Sequence, residues 1–228
     1  MEYDFGRGLV PAHRHTNPDG SIGGWVADTA SVSKTAFVGP AAVVYDSATV
    51  YGSARVEGRA KVSGKAIVRG TAVIAGNATV FGKSLVTDEA TIRGAAKILG
   101  KARISGKSTV DGNAFIDENA TISDNARISD HGIVGGNACI LDNAIVCEHA
   151  VVYDDATLIG NAMAYGSAKV CGCALIMDDA VAYDDAIIKD NAIIREHASI
   201  KGHAVVEENV VIGGNTVLRD QRKPIVLS

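Results

Sequence analysis

Two acid–histidine pairs in this chain, Asp130–His131 and Glu148–His149, stand eighteen residues apart. His203 lies three further steps of eighteen along, and Asp185 stands one step before it. Neutral imidazoles and carboxylates suit zinc and similar ions, and the same groups act as general acids and bases near neutral pH. The plainer reading is that His fills a slot that also accepts Asn, Lys, Asp and Ser. Whether these residues meet depends on the element that carries them.

That element is a six-residue repeat: ATVYGS, ARVEGR, AKVSGK, AIVRGT, AVIAGN, ATVFGK. Counted from Gly24 to Thr216, 33 hexads follow one another without an insertion. The first position is Ala in 27 of them and the third is Val, Ile or Leu in 31, the exceptions being Ala164 and Ala182. First and third positions have the period of a strand, so both face inward and the second and fourth face outward. The fifth is nearly always Gly, Asp or Glu and the sixth often Asn, Asp, Lys or His, which suits a corner. A short strand and a corner every six residues give a polygonal coil, and helical periodicity is absent.

The number of sides comes from a resemblance. ISDNARI (122–128) and VIGGNTVL (211–218) resemble the hexapeptide-repeat proteins over roughly 24–221. That resemblance implies an all-β fold, a single-stranded left-handed parallel β-helix with three sides and about eleven coils of eighteen residues. At about 4.8 Å between stacked strands, it would be roughly 50 Å long. Residues 1–23 read as an N-terminal cap segment with an NPDG turn, the β-helix runs over 24–221, and 222–228 form a C-terminal tail. Trp25 is expected on the outside of the first coil. IGGWV leading into Ala-x-Val hexads is similar to the YdcK-like bacterial and phage hexapeptide proteins.

With eighteen residues per coil, the sequence becomes a map of columns. One corner column reads Arg59, Asn77, Ala95, Asn113, His131, His149, Ser167, Asp185, His203. The two acid–histidine pairs then stack one above the other, and the candidate catalytic set is His131, His149, His203, Asp130, Glu148 and Asp185. Two hexapeptide activities bear on it. Acyltransferases of the class use a histidine near the groove between subunits and often a loop over the acceptor; an unbroken repeat leaves no such loop. The γ-class carbonic anhydrases hold metal through three histidines across a trimer interface, and no position here matches their ligand set. Zinc or coenzyme A is expected only under an enzymatic reading, and otherwise no cofactor. Lys65, Lys83 and Lys101 stack at another corner, where they could hold an anion or form a solvated row.

The outward positions change character along the chain. After about residue 130 apolar groups cluster, with Leu141, Ile159, Leu175 and Met177 on one face. Ile145, Met163, Tyr165, Val181 and Tyr183 lie on the next. Large apolar patches mark contact surfaces, and two adjacent apolar faces suit a homotrimer.

Composition narrows the rest. Net charge is −4 with acids and bases interspersed, which argues against a nucleic-acid polymer or a membrane surface as partner. Four cysteines without CxxC spacing and no signal-peptide pattern point to a reducing, cytoplasmic setting, with virion association as an alternative. The expected role is a non-enzymatic oligomeric scaffold or binding module, of phage or prophage origin under the YdcK-like resemblance. The alternatives are a transferase or metal enzyme with its site at a subunit interface, or sequestration of a small anionic ligand in the groove between subunits.

Overall fold

The computed structural model describes residues 1–221, so the expected tail lies outside the described residues. Each hexad forms a two-residue strand and a corner, as in Thr49–Val50, Arg55–Val56 and Lys61–Val62. Every third strand joins the same sheet, so residue i lies beside i+18: Thr49 pairs with Ile67 and Arg55 with Val73. The result is an all-β solenoid of three parallel sheets with about eleven turns of about eighteen residues.

The chain divides into two units, Met1–Gly112 and Asn113–Ser228, and each repeats this arrangement. In the first unit, the parallel strands of face one begin at Ser31–Val32, of face two at Phe37–Val38 and of face three at Ile22–Ala27, followed by Val43–Val44. In the second, the corresponding first strands are Thr121–Ile122, Arg127–Ile128 and Phe115–Ile116.

Inside each unit, the Ala and Val/Ile positions are almost wholly shut off from solvent. Each buried Val or Ile contributes roughly 1.5–3 kcal/mol. Where Ser84 and Ser108 take the Ala slot, their hydroxyls donate to the Phe81 and Ser105 carbonyls at 2.9 and 2.7 Å. Burial of these two polar groups therefore leaves no orphan. Ala164 and Ala182 stack on successive turns.

From Asp46 on, each corner holds one residue with positive φ, which explains the fifth position; the first corners, at Asp28, Lys34 and Pro40, hold none. Glycine fills it at many turns, and every other described residue with positive φ is Asp or Glu. An L-residue pays about 1–2 kcal/mol there. The acids recover part of that cost by accepting the backbone N–H of the residue eighteen further on. Asp130 accepts from Glu148 at 3.2 Å, Asp154 from Gly172 at 3.0 Å and Asp184 from Gly202 at 3.1 Å. Asp184→Ala keeps the backbone cost and loses the acceptor, so it is expected to lower stability by about 1 kcal/mol. Asp184→Gly removes both and should cost less. Urea midpoints of the two variants check the order.

The N-terminal segment forms β1 (Glu2–Asp4) and β2 (Leu9–Thr16), which pair antiparallel with each other. β2 also pairs with β3 (Ile22–Ala27), which lies parallel to Val43–Val44. The first turn has no turn before it, so its strand edge would carry unpaired groups. Two side chains supply partners: His15 Nε2 lies 3.0 Å from the Ala36 carbonyl, and Asn17 Oδ1 accepts the Val38 N–H at 2.8 Å. Trp25 faces outward but is half-buried. Its ring stacks on Tyr3 at 4.7 Å, with the Arg14 guanidinium 5.4 Å from its centre.

Candidate functional site

The histidine column lies on the corner between faces two and three of the second unit. Its residues sit at the sixth hexad position, just after the positive-φ residue, so their side chains leave the corner into solvent. His131 and His149 stack with ring centres 5.0 Å apart and planes 3° from parallel. Asn113 Nδ2 lies 3.3 Å from His131 Nε2, which accepts in the tautomer that allows this bond.

The adjacent acids serve the backbone. Asp130 Oδ2 takes the Glu148 N–H, and Glu148 Oε2 takes the Gly166 N–H at 3.0 Å. The two carboxylates run along the corner, and no bond from either to an imidazole is found among the described residues. The structure thus brings His131 to His149 but leaves their neighbouring acids occupied elsewhere.

Asp185 and His203 do meet, Oδ2 to Nδ1 at 3.6 Å, with both side chains more than half exposed. The His203 backbone N–H donates to Asp220 Oδ1 at 2.9 Å, and this bond leads the causes that hold the Asp220 carboxyl below its ordinary range. Arg219 Nε sits 3.1 Å from the same carboxylate. Ser167, Asp184, Asp185, His203, Arg219 and Asp220 line an open polar cleft of about 480 Å³. A general base needs a fixed partner and shelter from water; this cleft sets a carboxylate 3.6 Å from the imidazole, beyond hydrogen-bond length, and lacks the shelter. Among the described residues no three His, Cys, Asp or Glu side chains are grouped to hold a metal ion.

The nine apolar candidates, Leu141, Ile145, Ile159, Met163, Tyr165, Leu175, Met177, Val181 and Tyr183, are all half-buried. They cover one another along the ladders: Ile145 lies beside Met163, and Met163 beside Val181. Tyr165 and Tyr183 stack at 5.0 Å, with Lys201 Nζ 5.7 Å from the Tyr183 ring centre. Burial is the leading cause that pushes the Cys147 thiol and the Tyr165 phenol above their ordinary values. Ile133 and Tyr153, on face three, are more exposed than any of the nine.

One cavity was missed by the sequence reasoning. A pocket of about 320 Å³ opens in the N-terminal segment, walled by Phe5, Val10, Pro11 and Tyr45, with Arg7 and Asp28 among its lining residues. Asp4 Oδ1 accepts the N–H groups of Gly6, Arg7 and Gly8 at 2.7, 3.0 and 2.9 Å, which folds the loop that carries Phe5 and Arg7. Phe5 stacks on Tyr45 at 5.0 Å, and His13 Nδ1 lies 2.8 Å from Asp28 Oδ1. The readable signal was Asp4 followed by Gly6 and Gly8, an Asx-type turn bearing an aromatic residue.

No family model and no curated protein matches the chain. Among solved structures it is similar to the UDP-N-acetylglucosamine acyltransferase from Campylobacter jejuni, at 18% identity over 81% of this chain and 68% of that one. The TM-score is 0.29, and a likeness that loose carries no argument about activity.

Proposed function

We propose that this protein is a non-enzymatic β-solenoid scaffold that associates with copies of itself, as a trimer, through the apolar rows of residues 139–194. The observation that carries this reading is the run of outward apolar side chains on two adjacent faces over successive turns, Leu141, Ile159 and Met177 on one and Ile145, Met163 and Val181 on the other. A solvent-facing sheet normally alternates apolar with polar, and here most outward positions on both faces are apolar, with Thr157 the polar exception between Cys139 and Leu175. The positive-φ acids nearby, Asp142, Glu148 and Asp178, accept backbone N–H groups, which fits a structural part. Light scattering on the full chain at micromolar concentration is expected to give three chains per particle. A single-chain mass would sink the reading.

The Asp185–His203 cleft favours a second reading, a ligand-binding or transferase site of the hexapeptide class completed by a neighbouring subunit. Calorimetric titration with coenzyme A tests it. Binding that His203→Ala weakens at least about tenfold would support it, a loss of about 1.4 kcal/mol. Absence of binding to the assembled protein would rule out this substrate class.

A further inference from the structure

Bases and acids that intermingle along the sequence separate when the two units are taken one at a time. The first unit carries 14 Lys and Arg against 9 Asp and Glu, and the second carries 8 against 17. Within the first unit the cations gather further. At the corner between faces three and one, Lys65, Lys83 and Lys101 occupy one slot on three successive turns. The Lys65 N–H donates to the Gly82 carbonyl, and the Lys83 N–H to that of Gly100, both at 2.6 Å. Lys61 and Lys97 flank the row on face three, and Arg103 on face one. All six are exposed. None of them makes an ion pair among the described residues.

This row is unfavourable for the isolated chain. Successive rungs lie about 4.8 Å apart, so the like charges must splay apart to lessen their repulsion. The same slot in the second unit shows a cheaper solution. Asn119 Nδ2 donates to Asn137 Oδ1 at 3.0 Å, and Asn137 Nδ2 to Asp155 Oδ1 at 2.8 Å. Three lysines in place of such an amide row call for an anionic partner.

We propose that the Lys65–Lys83–Lys101 row docks on an acidic corner of the second unit of another copy of this chain. The second unit offers acids on successive turns at the matching repeat: Asp130 then Glu148, Asp178 then Glu196, Asp190 then Glu208. Asp130, Asp178 and Asp190 each use one carboxylate oxygen on a backbone N–H and keep the other without a partner among the described residues. Cation row and acid row are both built on the eighteen-residue turn, so two neighbouring lysines can face the two acids of one corner, Asp130 and Glu148. This charged contact is separate from the apolar rows and does not rest on them.

Sedimentation velocity of the full chain tests it, in about 0.01 M salt, where charges reach about 30 Å, and in about 1 M, where they reach about 3 Å. The weight-average mass is expected to be at least about twofold higher at low salt. The triple variant Lys65→Glu, Lys83→Glu, Lys101→Glu should show the high-salt mass in both buffers. Mixing it with a chain carrying Asp130→Lys and Glu148→Lys, two rungs of one acidic corner, should restore the larger species at low salt. Both positions have positive φ and lose an acceptor in the swap, so unchanged β circular dichroism of the swapped chain is the check that it folds. A mass that ignores salt would overturn the proposal. So would a triple variant that still assembles at low salt, including one that has lost only its retention on a polyanion column. A monomer at high salt would count against the apolar trimer and leave the charged contact standing.

Discussion

A Gly24→Val protein is expected to fold poorly, losing about 3 kcal/mol or more, because the obstacle to its side chain is main chain. A Cβ at Gly24 would sit 2.0 Å from the Ala42 carbonyl oxygen and 2.6 Å from that of Gly39. A Cβ at Gly23 would sit 2.4 Å from the Val38 oxygen. In later hexads this position holds Ala with no difficulty. Here it lies within β3, a six-residue strand that continues the N-terminal hairpin instead of turning a corner. The clash would push that hairpin off the first turn and break the bonds from His15 to Ala36 and from Asn17 to Val38. The uncovered strand edge should then promote aggregation. Urea unfolding and light scattering check both effects. Gly20→Asn is the control: Gly20 also has a positive φ, 81°, but no atom lies within 4 Å of its added Cβ. Asn tolerates that conformation, so the control should change stability by less than about 1 kcal/mol.

The double variant Met163→Asp, Val181→Asp is expected to run as a single chain while keeping its β circular dichroism. The two residues are register partners on face two and half-buried in one chain. In the separate chain their carboxylates would turn to water at small cost. Between packed subunits they would be buried without a partner, at several kcal/mol each. Assembly therefore suffers far more than folding. Tyr51→Asp, at a 40% exposed site on face one of the first unit, should leave the mass unchanged. If the double variant keeps the wild-type mass, the apolar rows are not the contact.

Some of this molecule is legible in its residues alone. Inward Ala and Val/Ile at the first and third positions of each hexad, with Gly, Asp or Glu at the fifth, specify short strands joined by corners. Every described residue with positive φ obeys that rule in the repeat. Stacking of His131 on His149 followed from the eighteen-residue spacing, because side chains on neighbouring turns must lie one strand spacing apart. The roles of Asp130 and Glu148 did not follow. An acid beside a histidine in sequence looks like its partner, yet a positive-φ residue aims its carboxylate along the axis to the next turn's N–H. The N-terminal pocket was hidden for a related reason: it is walled by residues from β2, β3 and the Tyr45 corner, which no local spacing connects.

By itself, then, the sequence determined the repeat, the burial of its first and third positions and the columns in which residues stack, since all three depend on a period that never slips. The tertiary structure decided which polar atoms in those columns are already used, how the first strand edge is closed by His15 and Asn17, and where unpaired cations collect. Those outcomes depend on the direction of single side chains and on bonds between residues seventeen to twenty-one positions apart, and periodicity carries no information about either.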